Sequence, residues 1–194
     1  MQEMTDHMTP SHPFDMARIT AILAAPDSAI HLFAYLREGL LRDVGSDLVT
    51  ASVYDLAAMR GRRVYTDNAE AYPVGNFKRL DRNRFYDTVI EGGQVFATTR
   101  IDQIAEVFFD WEKIRGLGFG SNLNLPAVAD GQVIGTVNLL APTGHYTAPR
   151  VAAALAWQPV ATLCFLLLLR GNPDTDSFIG QVAAHAAGPV MEGA

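Results

Sequence analysis

The segment 121–142, SNLNLPAVADGQVIGTVNLLAP, limits what this chain can fold into more than any other stretch. Two β-like runs, 121–128 and 132–140, flank Ala129-Asp130-Gly131. That pattern predicts a β-hairpin closed by a three-residue loop. Side chains alternate across a sheet, so Leu123 and Leu125 share one face while Asn122 and Asn124 take the other. In the second run Val133, Gly135, Val137 and Leu139 share a face, opposite Ile134, Thr136 and Asn138. With Val128 set opposite Gln132, Asn124 meets Thr136 and Asn122 meets Asn138. One face is then apolar, and the other gathers four polar side chains. A slip of one residue would scatter the cluster. The polar face is either solvated, as in many half-buried sheets, or it floors a pocket. In a pocket each orphaned amide would cost about 1–3 kcal/mol, which a polar ligand or bound water would offset.

The flanking segments supply helices and further strands. Apolar spacing predicts helices over 14–25 and 28–44, separated by Pro26-Asp27-Ser28 and stopped at Gly45. Strict alternation over 47–55 (DLVTASVYD) predicts a strand, and 62–66 a second, with a hairpin tip at 57–61. Residues 68–82 read as loop, punctuated by Pro73, Gly75 and Asn76. A short helix over 83–91, a strand over 94–99 and a helical or mixed stretch over 101–114 follow. A long helix is expected from Thr147 to Leu169, with Pro149 in its first turn. Residues 1–13 are expected to be a mobile arm, 14–170 the domain, and 171–194 a tail or short helix, the helix falling over 176–187.

The order of elements is helices, strands, irregular region, strand, hairpin, helix. It predicts an α/β domain of α+β type around a central antiparallel sheet of about five or six strands. The terminal helices pack on one face, and irregular or helical connections cover a pocket on the other. A chain of 194 residues suits one such domain.

The run 121–163 also resembles the C-terminal half of a GAF domain. The resemblance rests on Ser121, Leu123, Leu125, Pro126, Asp130-Gly131, Val133-Ile134-Gly135 and Tyr146. It extends over roughly 28–169, upstream through element order alone. It implies a GAF/PAS-like sheet with a ligand pocket beneath the irregular connections, but no single function. Members bind cyclic nucleotides, bilins, haem, 2-oxo acids or metals, and a few are enzymes. The cyclic-nucleotide signature Asn-Lys…Phe…Asp-Glu is missing here. Cys164, the single cysteine, lies in the closing helix rather than where a bilin would attach. The several pocket cysteines of the free methionine sulfoxide reductases of this fold are also missing. The cofactor is left open by the sequence.

Several side chains are candidates for a site. Asn122, Asn124, Thr136 and Asn138 would form the floor. Thr98, Thr99 and Arg100, at the end of a strand, form either an anion clamp or a solvated strand end. Asn76, Lys78 and Arg79 lie in a loop that either closes over an acidic ligand or is a solvated turn. Asp110 and Glu112 are candidate acids or bases, or else helix caps. His145 is a candidate base. Tyr86 and Trp111 line the pocket or pack in the core. His7, His12, His31 and His185 show no metal spacing, and no triad, P-loop or zinc motif is present. The cluster Arg60, Arg62 and Arg63 either binds an anion or is a solvated turn, the turn being the leading expectation.

A formal net charge of -6 argues against a nucleic-acid partner. One cysteine excludes an internal disulfide and suits a reducing, cytoplasmic setting. The N-terminus lacks a signal-peptide pattern. The apolar stretch 151–169 approaches the length of a span, but Gln158-Pro159 at its centre argues for a buried or oligomer-forming helix. The leading expectation is therefore a stand-alone, cytoplasmic sensor of a polar or acidic metabolite, dimeric through its terminal helices and free of nucleic acid and membrane. These 194 residues contain no kinase, cyclase or DNA-binding segment of their own, so a stand-alone sensor is expected to pass its signal to a partner unless the sequence is part of a longer protein. One alternative is an isomerase, lyase or hydrolase using Arg100, Asp110 and His145. Another is a dimerising scaffold.

Overall fold

The computed structural model describes residues 12–172, 174, 176–184 and 191–192. The arm expected over 1–13 lies, as far as residue 11, outside the described residues, as do His7 and His185. Helices α1 (Met16–Ala24) and α2 (Ser28–Asp43) come first. Strands β1 (Leu48–Asp55), β2 (Arg60–Thr66) and β3 (Phe77–Arg79) follow, then a π-helical turn, Tyr86–Glu91. Next are β4 (Phe96–Thr98), α3 (Ile101–Ala105) and α4 (Trp111–Gly116). The hairpin is β5 (Ser121–Ala129) and β6 (Gln132–Ala141), and α5 (Ala148–Leu155) and α6 (Gln158–Arg170) close the domain.

The central path runs β4-β5-β6-β1-β2-β3, each neighbour antiparallel. The sheet reaches nine strands among the described residues, because the C-terminal segment adds three. Strand β7 (Ser177–Ile179) runs parallel to β2 and pairs with β8 (Val182–Ala184), while β9 (Met191–Glu192) runs parallel to β3. Over 176–184 strand additions thus stand where a short helix was expected over 176–187, and 185–187 lie outside the described residues. Edge groups of β2 and β3 that would otherwise stay unpaired gain partners. Strand β3 likewise sits inside the stretch expected to be loop.

The hairpin register differs from expectation in a way that preserves its faces. The turn has two residues, Asp130 and Gly131, both at positive φ (50° and 71°), the geometry that matches strand twist. Pairing therefore begins at Ala129↔Gln132, one residue away from the expected register. An extra residue, Ile134, opposes the junction of Ala127 and Val128 and adds one more. The total shift of two is even, so every residue beyond the bulge keeps its face. Asn124 stands opposite Asn138 rather than Thr136, and Asn122 opposite Leu140 rather than Asn138. Only the bulge itself trades faces: Ile134 packs with the main core and Val133 with the cluster beneath the π-helical turn.

The apolar face carries the core. Leu123, Leu125, Val137, Leu139, Val49 and Ala51 are buried against α2, α5 and α6. Phe165 of α6 lies so close to Gly135 that a Cβ there would fall 2.3 Å from its ring. The expected long helix is two, meeting at a 46° bend. Pro159 in the first turn of α6 cannot extend α5, because it has no N–H to donate. Trp157 fills the bend, fully buried, its ring against Gly39 and its Nε1 donating to Asp43 Oδ2 at 2.9 Å. No single helix among the described residues is long and apolar enough to cross a membrane. End to end, α5 and α6 have the length and apolarity of a span, but Val160, Ala161, Cys164, Phe165 and Leu168 are buried in the core.

Candidate functional site

The opposite face of the sheet is polar and roofed. On β1, Thr50, Ser52 and Tyr54 take this face in alternation with the buried Val49 and Ala51. With Asn122, Asn124 and Asn138 they floor a cavity of about 110 Å³, room for several waters or a small organic molecule. The roof comes from the segments between β2 and β5. Two apolar clusters tie it to the sheet, one of Leu80, Phe85, Tyr86, Val89, Ile90, Phe96 and Val107, the other of Tyr72, Ile104 and Ile114 with Leu48 of β1 and Leu140 of β6. Phe108 packs against both. Asn83 joins the roof segments: its Oδ1 accepts from Phe85 N and Tyr86 N, and its Nδ2 donates to the Val107 carbonyl at 2.8 Å.

The floor is one hydrogen-bonded chain across four strands. Thr98 donates to Asn122 Oδ1. Asn122 donates to Asn124 at 2.7 Å, and Asn124 to Asn138 at 2.8 Å. The Thr136 hydroxyl donates to Asn138 Oδ1 at 2.9 Å and lies 2.6 Å from the Tyr54 hydroxyl. Asn138 reaches Ser52 Oγ at 3.4 Å. The amides thus meet much of their own demand, which allows this face to be buried without a ligand. Burial pushes the Tyr54 phenol up to about 12, against the opposing pull of the Thr136 bond. One fully buried side-chain oxygen in the lining has no partner among the described residues, the Tyr72 hydroxyl, and burial pushes that phenol up as well.

The other predicted site residues divide. Asn76, Lys78 and Asp110 line the cavity. Lys78 Nζ lies 2.9 Å from Asp110 Oδ1 and 5.0 Å from the ring centroids of Phe108 and Phe109. Asn76 donates to Glu192 at 3.1 Å. Thr98 and Thr136, expected to touch a ligand, are buried beside the cavity without lining it and act through Asn122 and Asn138. Arg100 does not reach the cavity: it caps α3, is exposed, and forks onto Asp102 at 3.0 Å, so no clamp forms there. A local carboxylate two residues away captures the guanidinium first. His145 also lies elsewhere. Its Nε2 is 3.0 Å from the Val44 carbonyl at the end of α2, and its ring abuts Arg150. It occupies the helix C-terminus, where a donor satisfies a terminal carbonyl. Arg100, Asp110 and His145 therefore do not converge. Tyr86 packs in the roof and Trp111 against it.

One lining residue was read differently from sequence. Arg63, taken with Arg62 for part of a solvated turn, is buried, as Arg62 is, and Arg63 lines the cavity. Ser52 and Tyr54 were not singled out as site residues, although their alternation with Ala51 and Val53 along the strand is the signal that could have found them. Glu192, which pairs with Arg63, had no local signal. Among the described residues no group of three His, Cys, Asp or Glu side chains is placed to hold a metal ion.

One sheet with helices on one face and a roofed cavity on the other defines a class of one-sheet α/β domains. Within it, the fold is that of GAF domains. The GAF domain of a phosphoenolpyruvate-protein phosphotransferase from Coxiella burnetii superposes with a TM-score of 0.59 at 14% identity, covering 84% of this chain and 100% of that one. That of a two-component sensor histidine kinase from Bacillus halodurans also gives 0.59, at 10% identity over 73% of this chain and 97% of that one. The PixJ GAF domain of Thermosynechococcus elongatus, in its blue-light-absorbing form, gives 0.53 at 20% identity, over 73% and 85%. No family model and no curated protein matches the chain by sequence.

Proposed function

We propose that this chain is a cytoplasmic small-molecule-binding sensory domain, and that its ligand is a polar or acidic metabolite seated on the Asn122-Asn124-Asn138 floor. The observation that carries this reading is the cavity itself: about 110 Å³, polar below, largely apolar above, with the Tyr72 hydroxyl unpartnered in its lining. Such a site suits a ligand that offers both donors and acceptors to the amides and buries its remaining surface against Phe85 and Phe108. Sensor kinases and a photoreceptor among the similar structures support a signalling role. The enzyme reading keeps only Asp110 at the cavity, bound to Lys78, so binding is the better supported of the two.

The test is a thermal-shift screen of organic acids, amides, nucleotides and purines, followed by incubation of each hit to detect turnover. A hit should stabilise the parent chain and leave Asn124→Leu unshifted. A screen in which every stabilising compound acts equally on the variant would refute the site.

Two copies are also proposed to pair through the terminal helices. Leu155, Leu166 and Leu169 stay exposed on α5 and α6, more apolar surface than packing on one sheet requires.

A further inference from the structure

We propose that Arg63 and Asn76 form a carboxylate-binding subsite at the edge of the cavity, and that Glu192 of this chain occupies it in place of a ligand carboxylate. This rests on the small-molecule reading above and names one group of the ligand.

The receptor half is built into the sheet. Arg63 N donates to the Asn76 carbonyl at 3.1 Å, and Gly75 N donates to the Arg63 carbonyl at 2.8 Å, which fixes residue 63 against the 75–76 loop. The guanidinium is held from two further sides. It donates to the Pro73 carbonyl at 2.8 Å, and its Cζ lies 4.9 Å from the Tyr72 ring centroid. Its side chain is only 7% exposed. Its two terminal nitrogens meet the two oxygens of Glu192 at 3.2 and 3.3 Å, and Asn76 Nδ2 adds a third donor at 3.1 Å. A planar fork with an amide beside it recognises a carboxylate.

The carboxylate half is slightly anchored by comparison. Glu192 arrives on a strand of two residues whose sheet pairing, among the described residues, is with β3. Arg63 and Asn76 line the cavity, and so does Tyr72 with its unpartnered hydroxyl. Of the other lining cations, Lys78 pairs with Asp110 in the roof, and Arg79 with Asp81 two residues away. Arg63 therefore stands out: its acid comes from 129 positions along the chain.

The electrostatics favour exchange over vacancy. A buried guanidinium left without a counter-ion would be costly. Glu192 supplies the counter-ion: burial works against its charge, but Arg63 and Asn76 outweigh that and hold its carboxyl below the usual range. Replacing one carboxylate by another leaves the charge balance of the site unchanged. A ligand lying on the amide floor and carrying a carboxylate would thus displace Glu192 at little cost.

The experiment titrates glutarate and its uncharged diamide, glutaramide, into the whole chain and its Glu192→Gln variant, read by amide NMR. A tethered carboxylate competes at an effective concentration on the order of millimolar, so Glu192→Gln should bind glutarate about tenfold more tightly or better. Glutaramide affinity should not change. Adding Asn76→Ala to Glu192→Gln should reverse much of the gain without touching Arg63 or its support. Equal glutarate affinity in parent and Gln variant, no glutarate binding to the Gln variant, or an equal gain for glutaramide would each overturn the subsite. Either probe moving the side-chain signals of Asn122, Asn124 and Asn138 keeps the cavity as a ligand site even then, so the two readings fail separately.

Discussion

The Asn124 side chain donates to Asn138 across the central hairpin at 2.8 Å, and this bond links the amides of β5 to the hydroxyls of β6 and β1. Cutting it should release both ends of the chain. Asn124→Ala would leave the Asn122 amide without its acceptor and take from Asn138 Oδ1 one of its two donors, the Thr136 hydroxyl remaining. The expected loss is about 1–3 kcal/mol. Urea denaturation of parent and variant measures it; an unchanged midpoint would show that water replaces the amide freely.

Gly39 is a notch for Trp157. A Cβ at residue 39 would lie 2.1 Å from the indole. Gly39→Ala should therefore push the ring out of the bend between α5 and α6, at a cost of about 1–3 kcal/mol. The fluorescence of Trp157 should shift to the red as its Nε1 bond to Asp43 is strained. An unshifted spectrum with full stability would contradict this packing.

Alkaline titration should find slow tyrosines. Burial raises the phenols of Tyr54, Tyr65, Tyr72 and Tyr146, that of Tyr54 to about 12. An unfolded tyrosine ionises near pH 10. A folded pKa above the unfolded one contributes stability that is fully present below about pH 10 and is lost as pH rises toward the folded value. Phenolate absorbance from these four should thus appear together with unfolding. Ionisation of all six tyrosines in the folded chain near pH 10 would rule this out.

The proposed pairing of chains predicts a dimeric mass by light scattering. Leu166 and Leu169 are 40% and 43% exposed on α6. Leu166→Asp combined with Leu169→Asp should give a folded monomer, since neither side chain supports the core. A parent chain that is monomeric at high concentration would end this proposal.

Much of the fold was legible because alternation is local. The spacing of Asn122, Asn124, Thr136 and Asn138 against Leu123, Leu125, Val137 and Leu139 fixed two faces, and an even change of register could not exchange them. The helices, β1 and β2 could be read from the same kind of periodicity, and so could the side of the sheet that carries the core. Arg100 and His145 were misplaced because a lone polar residue at the end of an element has no periodicity. Nearby partners, Asp102 and the carbonyl of Val44, decided where each went.

By itself, then, the sequence determined a two-faced hairpin with helices on its apolar side. Tertiary structure alone decided the rest: the register, the bend at Trp157, the strands made from the C-terminal segment, and the meeting of Arg63 with Glu192. Backbone pleating reaches only a few residues along the chain. Register and ion pairing between distant strands are settled by what packs and what must be neutralised once the chain has closed on itself.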